Sequence, residues 1–470
     1  MAIVILVIGL LIFFGHVLTA VFHRTKVPDV LVLMLAGILL GPVFNVVGPE
    51  DFGKVGPVFT TLALVIILFE GGIHLSVRQL GAAAGDTLAL ALVTAALTLF
   101  LLAHLADLLL PIDFRTSLLV GVILAGTSSA VVVPLVSALK MQGRAGVVLF
   151  LESALTDVLV IVLTLGLLQA LTAAQAGGDA ALGAGALTWQ VVGSFLFAAL
   201  IGFAGAFVWS AVLERIRRFP NTVFTTLAYV FILYGVAELM GYSGAIAALV
   251  FGVSLANLPL IPDRLVGKLF RFRLAPFAEH ERAFFAEAVF IVKTFFFVYL
   301  GVSMTFTDLR ALFAGLVLAV AAFVARAPVV RALGRDLSRR DAALTTALVP
   351  KGLAAAVLAG LPAQLGLPGS GPVQATVYAT VFFSIAGCAV LVFAVERGLM
   401  TPFTNVWFGK FPVEAPASPA PEGPRGDLPA LATLSSTDVS ELLEPNPVTD
   451  LEGPGEGRPT PPEPGPEPRA

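Results

Sequence analysis

The chain has 470 residues, of which 58% are hydrophobic and 13% charged, against about 25% charged in an ordinary globular domain, so it reads as an all-α polytopic membrane protein. A net charge of -3 with scattered basic residues gives no footprint for nucleic acid, which is excluded as a partner. A single cysteine, Cys388, allows no internal disulfide or cysteine-based metal site, the histidines fall into no metal-binding spacing, and no cofactor is implied.

The predicted elements are apolar runs long enough to cross roughly 30 Å of hydrocarbon, and there are about thirteen. The first, Ala2 to Phe22, lacks a basic leader and a cleavage site and is read as a retained span. Pro28 to Val47, Pro57 to Ser76, Thr87 to Leu110, Thr116 to Leu139 and Ala145 to Thr172 follow. Then come Trp189 to Leu213, Asn221 to Met240 and a short ninth run, Ser243 to Leu258. Phe284 to Phe306, Leu309 to Val330, Ala342 to Leu365 and Val373 to Val395 complete the set.

Cytoplasmic loops are enriched in Lys and Arg, and the loop charges alternate accordingly. One set holds Arg24, Lys26, Arg78, Lys140, Arg144, Arg215, Arg217, Arg218, Arg264, Lys268, Arg271, Arg273, Arg282, Arg331, Arg335, Arg339, Arg340, Arg397 and Lys410. The opposite set holds only Lys54, Arg115 and Arg310. The expectation is an odd number of spans in the cell (plasma or inner) membrane, with the N-terminus outside and the C-terminus cytoplasmic. Residues 1–411 form the transmembrane domain, and 412–470, rich in Pro, Gly and Glu, form a disordered cytoplasmic tail. A short amphipathic piece lies near Leu428 to Leu443.

Charges left inside spans are costly and either pair or line a wet cavity. The basic ones are Lys293, Arg326 and Lys351; the acidic ones are Glu70, Asp86, Glu152, Asp157, Glu238 and Glu287, with Asp86 at a helix end. Glu152 and Asp157 stand about 140° and about 7.5 Å apart on one helix, so they cannot share a partner. Glu152 is read as half of a structural ion pair and Asp157 as facing a water-filled site; the competing reading makes both static pair members. Lys293 either snorkels to the interface or takes part in proton coupling. Glu70, Glu238 and Glu287 are read as rim or packing charges, and His16 and His74 as polar packing rather than pH sensors.

The fifth run, "GVILAGTSSAVVVPLVSAL", contains Gly126, Thr127, Ser128, Ser129 and Pro134. The twelfth, "TTALVPKGLAAAVLAGLP", contains Pro350, Lys351 and Gly352. Pro and Gly break the helical ladder, which lipid tolerates only where protein or a cavity satisfies the freed groups. The two runs are seven spans apart, as an inverted repeat of spans one to six on eight to thirteen requires, and such paired breaks point to a transporter binding site.

At this point the sequence resembles the monovalent cation:proton antiporters, sodium/proton exchanger branch of NhaP type. The likeness runs through "TKVPDVLVLMLAGILLGP", "ILFEGGIHL", "LESALTD", "YSGAIAALVFGVSLAN", "FFFVYLGVSM" and "FVARAPVV". The resemblance implies two inverted repeats with crossing unwound helices at spans five and twelve, a core of spans four to six and eleven to thirteen, and a dimerisation side of spans one to three and seven to ten. It implies that Asp157 binds the transported cation or the proton, with Ser153, Thr127, Ser128 and Thr156 completing the site. It further implies that Glu152 pairs with Arg326 and that Lys351 offsets the opposed helix dipoles at the crossing. Two motifs depart from the family: Thr156 replaces its Asn, and Thr127, Ser128 and Ser129 stand where it has Thr-Asp-Pro, removing a carboxylate.

The expected function is antiport of Na+, or of Li+ or K+, against H+ by a homodimer in the lipid bilayer. Alternating access and electroneutral exchange are expected, with proton and cation competing for Asp157. Potassium/proton exchange or potassium efflux is the alternative among transporters, and an ion channel a less favoured one. An intramembrane protease is disfavoured by the opposed faces of Glu152 and Asp157, and the chain is not read as an enzyme.

Overall fold

The computed structural model describes residues 2–52, 55–75, 85–141, 144–175, 184–217, 223–260, 279–334 and 337–412. Lys54, Arg78, Arg218, Arg264, Lys268, Arg271, Arg273 and Arg335, used above for orientation, lie outside the described residues, as do residues 413–470 with the amphipathic piece near Leu428.

All regular structure among the described residues is helical, because a chain in hydrocarbon must satisfy its backbone groups internally. The helices are α1 (Ala2–Thr25), α2 (Asp29–Ile38, extended by a π turn over Leu39–Val43), α3 (Val55–His74), α4 (Gly85–Leu109), α5 (Phe114–Ile123), α6 (Ser129–Ala138) and α7 (Arg144–Ala173). Next are α8 (Ala184–Ile216), α9 (Val223–Leu239), α10 (Gly244–Asn257), α11 (Glu279–Val302) and α12 (Leu309–Leu333). The last are α13 (Arg339–Ala347), α14 (Leu353–Leu358), α15 (Leu361–Gln364), α16 (Ser370–Glu396) and α17 (Thr401–Trp407). By length and composition α4, α7, α8, α11, α12 and α16 can each cross a membrane, which makes this a multi-pass membrane protein. Two apolar runs differ from simple spans: the fifth divides into α5 and α6, and the twelfth into α13, α14 and α15.

Packing sorts the helices into two sets. In the first, α10 packs on α3, α8 and α9, while α11 packs on α1, α2 and α3. In the second, α4 packs on α5, α7 and α12, α16 packs on α12, α13 and α14, and α6 packs on α7. The sets meet where α7 touches α8 and α3, where α14 touches α3 and α11, and where α16 touches α2.

The first set is held by close backbone approach, the usual route to helix association in lipid. Gly37 of α2 faces Gly301 of α11, and Gly72 of α3 faces Gly252 of α10; a Cβ on any of the four would overlap backbone of the opposite helix. Beside the second pair, Phe69 stacks on Phe251 and meets Phe285 edge-on, with ring centroids 5.2 and 4.8 Å apart. Trp209 stacks on Tyr229 and donates its indole N–H to Thr226 Oγ1 at 3.2 Å.

Candidate functional site

The break in the fifth run falls over Leu124–Ser128, ahead of Pro134, which sits inside α6. Of the two helix breakers named in this run, Gly126 lies in the interruption and Pro134 does not. The twelfth run opens over Leu348–Gly352, and here Pro350 lies in the break, where it lacks an amide donor and drives the residue before it away from helical geometry.

The two breaks cross and satisfy one another. The Ser128 N–H donates to Pro350 O at 2.8 Å. Lys351 Nζ donates to Gly126 O at 2.9 Å, returning a cation from one break to a freed carbonyl of the other. The Lys351 N–H donates to Ser384 Oγ of α16 at 2.9 Å. Gly352 is required by this approach, since a Cβ there would collide with the Ser128 side chain.

Asp157 projects from α7 toward the N-terminus of α6. Its Oδ2 accepts from the Ser129 N–H at 3.0 Å and the Ser129 hydroxyl at 2.6 Å. A helix N-terminus presents free N–H groups and the positive end of the macrodipole, so the carboxylate is held without a direct ion pair. Glu70 and Lys351 lie within electrostatic range of it.

Among the described residues the other candidate oxygens, those of Thr127, Thr156 and Ser153, bond to one another and to nearby backbone rather than to Asp157. Thr156 Oγ1 accepts from the Thr127 N–H at 3.2 Å, lies 3.3 Å from Thr127 Oγ1, and donates to Ser153 O at 3.3 Å. Ser153 Oγ donates to Phe150 O of its own helix at 3.0 Å. Ser128 caps the start of α6 with extended backbone and no side-chain capping bond. Sequence reasoning missed Ser129 as the partner of Asp157. The signal available was positional: the first residue of a half-helix after a break offers both its N–H and its hydroxyl.

Glu152 faces away from this site and grips Arg326 of α12 through both oxygens, the Nη2–Oε2 bond measuring 2.6 Å beside a still shorter Nη1–Oε1 contact. Arg326 is fully buried and Glu152 is 1% exposed. Arg326 Nε also donates to Thr345 O of α13 at 2.6 Å, so one guanidinium ties α7, α12 and α13.

The remaining charges are dispersed. Lys293 of α11 pairs with Asp29 of α2 at 2.9 Å and lies over the Phe290 ring, on which His16 stacks. Glu70 is 3.5 Å from His74. Glu238 accepts from the Gly244 N–H at 2.7 Å at the start of α10. Glu287 is exposed, and the Asp86 side chain lies outside the described residues. A buried pair absent from the sequence reading joins Glu281 of α11 to Arg217 beyond α8, at 2.6 Å.

Interrupted helices crossing beside a carboxylate, inside a helical membrane bundle, are the architecture of an ion-coupled secondary transporter. The chain belongs to the sodium/hydrogen exchanger family, whose transmembrane region matches residues 9–396, and within it to the NhaP-type branch; it is a transport protein rather than an enzyme. It is similar to the "K(+)/H(+) antiporter NhaP2" of Shewanella sp. (strain ANA-3), 25% identical over 417 residues that cover 86% of this chain and 66% of that protein. It is also similar to the "K(+)/H(+) antiporter NhaP" of Alkalimonas amylolytica, 29% identical over 204 residues, 43% of this chain and 33% of that one. The fold is shared with the solved structure of the sodium proton antiporter MjNhaP1 from Methanocaldococcus jannaschii at pH 8, with a TM-score of 0.65 and 19% identity, covering 86% of this chain and 98% of that one. The chain thus spans about two thirds of the length of the NhaP2 relative.

Proposed function

We propose that this protein exchanges a monovalent cation for H+ by alternating access, with K+ ahead of Na+ and Li+, and with Asp157 as the carboxylate that cation and proton share. The observation that carries the reading is the position of Asp157 at the crossing of two broken helices, held by Ser129 at the start of α6. Hard monovalent cations take oxygen ligands. The Asp157 carboxylate, the Ser129, Thr127 and Thr156 hydroxyls and carbonyls freed at the breaks supply them; Ser128 and Ser153 complete the set once their side chains turn.

Exchange follows from one carboxylate having two guests. A cation can enter only after the proton leaves, and the empty site, a bare charge, does not cross. One carboxylate favours one-for-one, electroneutral exchange. Lys351 holds Gly126 O and balances the half-helix ends facing the crossing. Glu152 and Arg326 serve as the structural pair that keeps α7, α12 and α13 moving as one body.

In this reading α4–α7 and α12–α16 are the mobile core, and α1–α3 with α8–α11 the scaffold and dimerisation side. The halves are inverted repeats in a homodimer, with the N-terminus outside and both the C-terminus and the 412–470 tail cytoplasmic. Potassium is placed first because the relative aligned along most of the chain is named for K+/H+ exchange, which displaces the sodium-first expectation. Sodium is the second reading, favoured by the family's own description.

The test is proton movement, reported by a pH-sensitive dye, in vesicles carrying the purified protein and titrated with K+, Na+ and Li+. Cation-dependent dequenching in the wild type, half-saturating at the lowest concentration with K+, is expected. Asp157→Asn should remain folded and give none. Proton-coupled flux in Asp157→Asn would refute the role of Asp157, and conductance without proton movement would point to a channel.

A further inference from the structure

We propose that the end of the bundle formed by α12, α13, α16 and α17 binds an anionic phospholipid, with an acyl chain in the groove between these helices and the phosphate against Arg331 and Lys410. The proposal is independent of which ion is exchanged.

A cavity of about 400 Å³ opens there, lined among others by Val324, Pro328, Leu391, Val395, Phe403 and Trp407. It reaches deep. Val324 lies seven residues before Arg331 on α12, about 10 Å along the helix, and Leu391 six before Arg397 on α16, about 9 Å. The flanking surface is openly apolar, with Val324 and Val390 each 65% and Val406 80% exposed. Such a groove runs from the helix ends into hydrocarbon, where an acyl chain fits and a peptide would bring unsatisfied backbone groups.

The mouth supplies the headgroup chemistry. Arg331 donates to Trp407 O and lies over the Trp407 ring, and Lys410 donates to Arg331 O, whereas Arg397 lies over the Phe393 ring, about 200° around α16 from the groove residues Leu391 and Val395. Neither Arg331 nor Lys410 has an ion pair among the described residues. Glu396, the acid at the end of α16, is already engaged by Lys26 and Arg340. The indole N–H of Trp407, a residue lining the groove, is buried with no acceptor among the described residues. Arg339, bonded to Asn405 Oδ1 and to carbonyls of Gly409 and Phe411, pins the segment that closes the groove. Two unneutralised cations over an apolar slot select a lipid by charge, which lipids merely surrounding the protein do not show.

The experiment uses the full chain in neutral micelles, with retained lipid counted by native mass spectrometry. Phosphatidylglycerol and phosphatidylcholine of the same acyl chains are titrated separately. Phosphatidylglycerol should bind at lower concentration, and Arg331→Gln and Lys410→Gln should each weaken it about fivefold, the effect of about 1 kcal/mol per basic residue. Thr404→Phe, which fills the slot from α17, should weaken both lipids. Lys410 is exposed, so its variant remains informative if the Arg331 variant folds poorly. Equal binding of the two lipids, or unchanged phosphatidylglycerol binding in Lys410→Gln, overturns the proposal. Displacement of the lipid by a peptide of residues 413–470 also overturns it and assigns the groove to the tail. Inorganic phosphate alone is expected to displace nothing; displacement by it would reduce the site to an anion site and equally refute a lipid slot.

Discussion

Replacing Glu152 by glutamine keeps the side-chain shape but leaves the Arg326 guanidinium buried without a counter-charge and sets an amide N–H against its donors. The pair makes two charge-assisted bonds between side chains that are 1% exposed or less. At about 1.5–3 kcal/mol for each hydrogen bond to a charged group, their loss costs about 3–6 kcal/mol, consistent with the roughly 3–5 kcal/mol for breaking a buried ion pair from one side. Removing both charges is different in kind, because apolar residues can replace a buried pair at little or no cost. Glu152→Leu with Arg326→Met should therefore be more stable than Glu152→Gln, short of full recovery by about 1–3 kcal/mol because Thr345 O loses its donor. The assay is unfolding in mixed micelles titrated with a denaturing detergent, read by tryptophan fluorescence and monodispersity, for the wild type, Glu152→Gln and the double variant. Wild-type stability of Glu152→Gln, or a double variant no better than it, would refute the view that an uncompensated charge is what the pair prevents.

Gly352→Ala should lower stability by about 1–3 kcal/mol, the usual cost of overpacking, and Ser128→Gly in the same chain should recover most of it, because the clash is with the Ser128 side chain; failure of the rescue in a melting experiment would remove the crossing contact as the cause. Lys293→Gln should cost roughly 1–3 kcal/mol through the lost bond to Asp29, while cation-dependent proton movement stays within about twofold of wild type; abolished exchange in a folded Lys293→Gln protein would make this lysine part of proton coupling. Asp113 caps α5 by accepting from the Arg115 N–H and from Thr116 Oγ1 at 2.6 Å, and the Thr116 bond leads the contacts that hold its carboxyl below the ordinary aspartate value. Asp113→Ala should then cost about 1 kcal/mol at neutral pH. The folded value is depressed, so this contribution is complete above pH of about 4 and fades as pH falls through the lower folded value. A mutant and wild type whose melting difference is unchanged between pH 7 and pH 3 would contradict it.

What the sequence made legible, and what it did not, follows from how local each cause is. The second break could be placed closely because Pro350 acts on its own residue and the one before. The first is marked by Gly126, which lies in it, whereas Pro134 is tolerated inside α6 and the contact of Ser128 with Pro350 that crosses the break has no local signal. Glu152 and Asp157 could be assigned to different partners from helical rotation alone, but the partner of Asp157 depends on where α6 begins. Asp29 reads as an ordinary first-turn acid and becomes the partner of Lys293 only when α2 lies against α11. Glu281 and Arg217 sit near helix ends, where charges are expected, and nothing in the sequence signals that they are half-buried together. The short helix α17 follows the last apolar run and is too brief to leave a periodic pattern.

The facing glycines of α2 with α11 and α3 with α10 bear on where the bundle can yield. A joint made of side chains can absorb strain by changing rotamers, whereas one made of touching main chains has no such slack. These two seams have little slack to take up load, which fits the scaffold role proposed for the half of the molecule that contains them. Compliance is left to the boundary where α7 and α14 rest on α3, α8 and α11, and to the two helix breaks. A glycine-to-alanine change at Gly37 or Gly301 would thus be felt as a shifted frame, displacing everything that bears on it rather than a single neighbouring contact.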